Sequence, residues 1–124
     1  MISFKQIDHI HICVPADRLE EARHFYMEVI GLKEMHRPEE LGDVGIWFTA
    51  ANIELHVGVE EALPQTIRHI AFEVTDLEAA RQHLINNGVT IQTQRALPGR
   101  SRFSFTDAWG NRMELLQMDQ ANRS

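Results

Sequence analysis

Two histidines and two glutamates recur at one interval along this chain of 124 residues. His9 and His69 lie sixty residues apart, and Glu54 and Glu114 are separated by the same interval. Neutral imidazoles and carboxylates are ligands for borderline divalent metal ions, and two of each balance the charge of such an ion. Four protein ligands leave two adjacent positions open on an octahedral ion. The spacing therefore predicts a site for one divalent ion (Zn, Ni, Mn, Fe or Co) that a substrate with two neighbouring oxygens can complete.

The elements that position these residues follow the same order twice. Hydrophobic alternation and periodicity predict an α+β protein with a strand, a helix and three strands in each half. The first module spans about residues 5–59, the second about 67–118, and residues 60–66 link them. The first helix is predicted to begin at Asp17 as its N-cap and to stop at Gly31. The predicted helices are 17–30 and 76–87, and the predicted strands are 7–14, 32–36, 44–50, 53–59, 67–74, 89–95, 101–106 and 112–118.

Alternation along four of these strands places ionisable side chains on the sheet face away from the helices. His9 shares its face with His11 and Cys13, and His69 shares its face with Glu73. Burying such groups is costly unless they are paired, hydrogen-bonded or bound to metal. We therefore expect a polar, concave sheet face. The same alternation groups Glu54 with His56 and Gly58, and Glu114 with Arg112 and Leu116.

Further side chains are candidates for the wall of a pocket on this face. Contact with a ligand or substrate and packing beside polar neighbours both remain open for His11 and His56. Arg102 and Arg112 could clamp an anionic substrate group or be solvated on the surface. The remaining candidates are Cys13, Glu73 and Trp47. Core packing is the default expectation for Trp47, Phe48, Phe103 and Phe105, although Trp47 could instead line the pocket beside Glu54.

Five segments, in their order and spacing, resemble one known family. They are the Asp8-His9 strand, the helix end from Phe25 to Leu32, Ile53-Glu54-Leu55, the strand from Arg68 to Phe72, and the ending from Phe105 to Leu115. This pattern is similar to that of the vicinal oxygen chelate superfamily, also called the glyoxalase, bleomycin-resistance and extradiol-dioxygenase group. The resemblance covers roughly the whole chain.

The resemblance implies both a fold and a chemistry. Members pair two βαβββ modules into a half-closed eight-stranded barrel with the helices outside, the glyoxalase-like fold. Ligands from the first and last strands of each module hold one divalent metal, which implies His9, Glu54, His69 and Glu114 here. The implied activity is of the lyase or isomerase type, by proton transfer next to a carbonyl through an enediolate. Glu114 or Glu54, displaced from the ion, is the implied proton carrier, and Glu73 is a second candidate base.

Differences from better-known relatives narrow the range of substrates that the resemblance implies. Bacterial glyoxalase I enzymes carry an arginine where Cys13 stands and an asparagine within the stretch where Val57-Gly58-Val59 stands, which argues against a glutathione hemithioacetal. Fosfomycin-modifying thiol transferases have an apolar residue in place of Glu54, and extradiol dioxygenases are usually about twice as long. Both remain alternatives. So does a drug-binding protein of the bleomycin-resistance type, which needs no metal.

Composition limits the location and partners of the chain. With 124 residues, of which 44% are hydrophobic, one compact domain is expected. A net charge of −6 argues against nucleic acid as a partner. A single cysteine and the lack of an apolar run of about 20 residues predict a cytoplasmic protein that is not membrane-bound. Relatives cover exposed sheet edges by two-fold pairing, which implies a homodimer.

Overall fold

The computed structural model describes residues 1, 3–62 and 66–119. The chain divides into two compact units, Met1–Ala62 and Leu63–Ser124. Each unit contains one four-stranded sheet and one principal helix, in the predicted order of a βαβββ module. The α+β class with two tandem modules is thereby confirmed. Residues 63–65 of the predicted linker lie outside the described residues. None of the helices in the described part of the chain has the length and apolar character needed to cross a membrane.

The sheet of the first unit places its first and last strands side by side. Its strand order is β1-β4-β3-β2, and β1 pairs with β4 in parallel while the other neighbours are antiparallel. The parallel β1–β4 pair, with β1 at the edge of the sheet, therefore carries both predicted ligands of this unit. The strands are β1 (His9–Val14), β2 (Lys33–Met35), β3 (Ile46–Ala50) and β4 (Ile53–Val59).

The helix predicted over 17–30 is divided into three pieces. A 3₁₀ turn at Ala16–Arg18 leads into α1 (Leu19–His24), and a π-helical turn (Phe25–Ile30) completes it. The prediction of Asp17 as N-cap was wrong, because the first turn already begins after Pro15, whose carbonyl accepts from the Arg18 N–H at 2.9 Å. The predicted stop is confirmed: Gly31 follows the π turn in the left-handed region at φ +93°, where a side chain is disfavoured.

The second unit repeats this arrangement. Its strand order is β5-β8-β7-β6, again with the first and last strands of the module, β5 and β8, paired in parallel. Asp76, the first residue of the predicted helix, is its N-cap, because the Asp76 side chain accepts from the Ala79 N–H at 3.0 Å. The elements are β5 (His69–Glu73), α2 (Leu77–Asn86), β6 (Gln92–Thr93), β7 (Arg100–Thr106) and β8 (Arg112–Met118).

Each sheet buries one face in an apolar core. In the first unit, Phe48 and Leu55 are opposite one another in the β3–β4 ladder and are fully buried, and Tyr26 packs on Phe48 with ring centroids 6.1 Å apart. In the second unit, Phe103 and Phe105 are buried on β7. The core positions predicted for these three phenylalanines are confirmed. Because side chains alternate along a strand, burial of this face turns the intervening polar residues to the other face.

Candidate functional site

The β1–β4 register gathers the polar residues of the first unit. His9 is opposite Glu54, and His11 is opposite His56. On the other side of β4, Trp47 of β3 is also opposite His56. The predicted grouping on one sheet face is confirmed for the three histidines and Glu54, and Trp47 lies on the same face. Cys13 and Gly58 form the next pair along the same ladder.

His56 is the centre of this face. It is buried, with 6% of its surface exposed, and its Nε2 lies 2.9 Å from Oε1 of Glu54. Its ring stacks on Trp47 with centroids 4.0 Å apart and planes at 2°, and on His9 at 4.0 Å and 15°. Since β4 lies between β1 and β3, the His56 imidazole is held between the two rings. A carboxylate can only accept, so Nε2 of His56 carries the proton in this bond.

Both predicted histidine ligands are anchored through the same ring nitrogen. Nδ1 of His9 lies 2.9 Å from Oδ2 of Asp8, and Nδ1 of His69 lies 2.8 Å from the backbone oxygen of Ile67. Because these partners are acceptors, Nδ1 is the donor in each imidazole, and in the neutral ring Nε2 keeps its lone pair. An acceptor behind Nδ1 is the arrangement that metal-binding histidines usually have.

The second unit brings its predicted pair together on β5 and β8. Nε2 of His69 lies 3.6 Å from Oε1 of Glu114, whose side chain is only 8% exposed. Arg102 of β7 donates from Nη1 to the same carboxylate oxygen at 3.2 Å, and from Nη2 to the Arg95 carbonyl at 2.9 Å. The buried Glu114 carboxylate is therefore compensated by a guanidinium. Arg102 is positioned by Glu114 rather than solvated.

Two more predicted pocket residues lie on this face of the second unit. Arg112 is opposite His69 in the β5–β8 ladder, and its Nη2 is 3.5 Å from Oγ of Ser104. Its Nε is buried and has no hydrogen-bond partner among the described residues. Glu73 stands opposite Leu116, at the far end of the same ladder from His69.

The four predicted ligands thus occur as two pairs, one in each unit. Within residues 1, 3–62 and 66–119, no group of three or more His, Cys, Asp or Glu side chains is placed to hold a metal ion. The donor chemistry of each pair nevertheless fits a divalent ion, with an Nε2 lone pair and a carboxylate on the same sheet face. The four-ligand site stays a prediction.

Gly58 leaves the space that the ring of His11 occupies. A Cβ at Gly58 would collide with Nε2 of His11, so any larger residue there must displace the imidazole. Burial lowers the pKa of His11, and the neighbouring His56, His9 and Arg37 lower it further. At neutral pH this ring is therefore uncharged and can accept as well as donate a hydrogen bond.

Cys13 is a weak nucleophile in this environment. Burial raises the pKa of its thiol, and a hydrogen bond with Glu60 and the charge of that carboxylate raise it further. Because the reactive species is the thiolate, we expect alkylation of Cys13 by iodoacetamide at pH 7.5 to be slower than that of glutathione, and to accelerate only in the alkaline range. Mass spectrometry reads this reaction without ambiguity, since the chain has one cysteine. Alkylation as fast as that of glutathione would contradict this reading.

Sequence reasoning missed the groups that orient the predicted ligands. Asp8 directly precedes His9, and its position beside a candidate ligand was the only available signal. The Ile67 carbonyl carries no sequence signal, because any residue supplies one. Ser104 is fully buried opposite Glu114 and takes part in contacts with Gln92 and Gln94, but serine on a strand is too common to single out.

Comparison with known proteins identifies the family. The model of the Glyoxalase/Bleomycin resistance protein/Dioxygenase superfamily matches residues 6–115. The chain therefore belongs to this superfamily. A putative glyoxalase family protein from Bacillus anthracis is similar in sequence and structure, with 38% identity and a TM-score of 0.86 over 96% of this chain and 100% of that one.

Two more distant structures share the fold. The fosfomycin resistance protein FosX from Listeria monocytogenes, in complex with Mn(II) and sulfate, matches with 17% identity and a TM-score of 0.77 over 95% of this chain and 94% of that one. TnmS3, an antibiotic binding protein from Streptomyces sp. CB03234, matches with 17% identity and a TM-score of 0.75 over 96% of this chain and 100% of that one. At these identities the likeness concerns the fold alone.

Proposed function

We propose that this protein is a divalent-metal-dependent enzyme of the lyase or isomerase type that acts on a small substrate with two neighbouring oxygens. His9, Glu54, His69 and Glu114 are its metal ligands. The observation that carries this proposal is the shared anchoring of His9 and His69: each fixes Nδ1 on an acceptor and keeps Nε2 as a lone-pair donor. Two histidines that merely packed on a sheet would not need the same tautomer.

The proposed reaction moves a proton on the carbon next to the substrate carbonyl. A divalent ion held by His9, Glu54, His69 and Glu114 would act as a Lewis acid toward that carbonyl. The side chains of the chain supply the base. Glu54 and Glu114 are the candidates, and they are held differently: the His56 imidazole donates to Glu54, whereas the Arg102 guanidinium donates to Glu114.

This difference favours Glu54 as the proton carrier. The Arg102 guanidinium always carries a positive charge and pairs with a carboxylate that is only 8% exposed, so Glu114 is the costlier carboxylate to move away from its partner. Glu54 is also the more accessible, with 32% of its side chain exposed against 8% for Glu114. Glu114 then serves chiefly as a fixed ligand, and Glu73 remains a second candidate base.

The remaining features of the proposal concern metal, partners and location. The ion is Zn, Ni, Mn, Fe or Co, because histidine and carboxylate together suit all of these. The partner is a small molecule rather than nucleic acid or membrane, the protein acts in the cytoplasm, and it works as a homodimer, whose partner subunit would cover an exposed sheet edge.

The reaction can be tested by hydrogen exchange with the solvent. Protein loaded with Zn, Ni, Mn or Co is incubated in D₂O with a panel of α-hydroxyketones and α-hydroxyaldehydes, and loss of the proton next to the carbonyl is followed by ¹H NMR. We expect exchange that requires the metal and stops when EDTA is added. Exchange that is indifferent to EDTA would contradict the proposal.

A second candidate function is antibiotic binding without chemistry. The Trp47 ring, which is stacked flat on His56 at 2°, provides an aromatic surface of the kind on which planar molecules stack. The metal requirement distinguishes the two functions, because a binding protein needs no metal. Tight binding of a planar antibiotic by metal-free protein would favour this candidate.

A further inference from the structure

We infer that His56 is a positioning residue that orients both metal ligands of the first unit, Glu54 and His9. The inference rests on the proposed function and adds to it a residue that does not itself touch the ion. His56 has no counterpart in the second half of the chain, where Leu116 follows Glu114 at the same distance. The repeat therefore does not account for it.

The contact with Glu54 fixes one carboxylate oxygen. Oε1 of Glu54 accepts from Nε2 of His56 at 2.9 Å, and the imidazole is buried and held between two rings. A donor that cannot rotate restricts the carboxylate to one orientation, which leaves Oε2 for the ion. In the second unit, Arg102 has the same relation to Glu114, donating to its Oε1.

The contact with His9 fixes the plane of the second ligand. The His9 ring stacks on His56 at 4.0 Å and 15°, while Asp8 holds its Nδ1. Stacking determines the plane of the ring, and the Asp8 bond determines its rotation within that plane. Trp47 completes the stack on the other side of His56. Removal of the central ring would release both ligands at once.

Two substitutions separate the hydrogen bond from the stack. His56→Phe keeps a flat ring between Trp47 and His9 and removes the donor, whereas His56→Gln keeps an N–H in the place of Nε2 and removes the ring. Since partners behind a metal ligand typically change affinity 10- to 100-fold, we expect His56→Phe to raise the dissociation constant for Co²⁺ by about that factor. His56→Gln restores the donor to Glu54 but not the stack on His9, so it should recover only part of the affinity. His24→Phe, at an exposed position of α1, is the matched control and should bind as the wild type does.

Calorimetric titration with Co²⁺ measures these affinities, and a urea transition for each variant verifies that it is folded. A folded His56→Phe variant that binds Co²⁺ as tightly as the wild type would overturn the inference while leaving the proposed function intact. A wild type that binds no divalent ion would overturn both.

A measurement on the unsubstituted protein gives a second, independent test. ¹⁵N NMR of the metal-free protein should show the proton of His56 on Nε2, and this nitrogen should not change to the shift of a metal-bound nitrogen when Zn²⁺ is added. A Zn²⁺-induced ligand shift at Nε2 of His56 would make this residue a ligand itself, and a proton on Nδ1 would remove the bond to Glu54. Either result would overturn the inference.

Discussion

Replacement of Glu54 by glutamine is expected to lower the rate of metal-dependent proton exchange by about 10²- to 10⁴-fold, the usual contribution of a positioned base. Glutamine has nearly the same shape and can still accept from His56 Nε2, but its amide cannot take up the substrate proton. Rates must be measured at saturating metal, because an amide oxygen is also a weaker ligand than a carboxylate. The NMR exchange assay then reads the loss of the base alone.

Glu73→Gln is the matched control for this experiment. Glu73 is the second candidate base on the same sheet side as His69, but it lies at the opposite end of the β5–β8 ladder from that ligand. We expect its substitution to change the exchange rate by less than about threefold, well below the loss of a working base. A larger loss in Glu73→Gln than in Glu54→Gln would assign proton transfer to Glu73 instead.

Replacement of Phe48 by alanine is expected to lower the free energy of unfolding by about 3–5 kcal/mol, because it opens a cavity in a core that cannot close around it. Phe48 has no exposed surface and packs on the equally buried Tyr26. Unfolding in urea, followed by circular dichroism, measures the change. The loss should be close to the whole stability of a small domain, so the variant is also expected to fold poorly at 37 °C.

Phe4→Ala tests whether the loss at Phe48 comes from burial. Phe4 has the same side chain but is 89% exposed, so its removal should change stability by no more than about 0.5 kcal/mol. Equal effects at the two positions would contradict the assignment of Phe48 to the core.

The sequence predicted the fold well where alternation was long and unbroken. In β1 and β4, apolar residues alternate with histidine, glutamate, cysteine or glycine over six and seven positions, and a register slip would turn every one of them to the wrong face. The face of His9 and Glu54 could therefore be predicted before the strands were paired. Element ends were predicted less well, because they depend on competing hydrogen bonds. β5 begins at His69 and not at Ile67, whose carbonyl accepts from the His69 side chain.

The sequence predicted which residues form the candidate site, but it did not predict the contacts that these residues make. The repeat pointed to His9 and His69 because it preserves residue type. The groups that anchor these two histidines differ, however: a carboxylate anchors His9 and a backbone carbonyl anchors His69. Arg102 reaches Glu114 diagonally on the neighbouring strand, from a position opposite Leu116. Such a contact depends on a rotamer and a register, and neither can be read from residue spacing.

We propose that His9, Glu54, His69 and Glu114 hold one divalent ion. The metal content of single-histidine variants tests this proposal most directly. Protein purified without chelator is measured by elemental analysis as wild type, His9→Ala and His69→Ala, with His24→Ala as a control at an exposed helix position. We expect about one ion per chain in the wild type and the control, and loss of that ion in both variants. Retention of the ion in either His9→Ala or His69→Ala, or a wild type that takes up no Zn, Ni, Mn, Fe or Co, would contradict it.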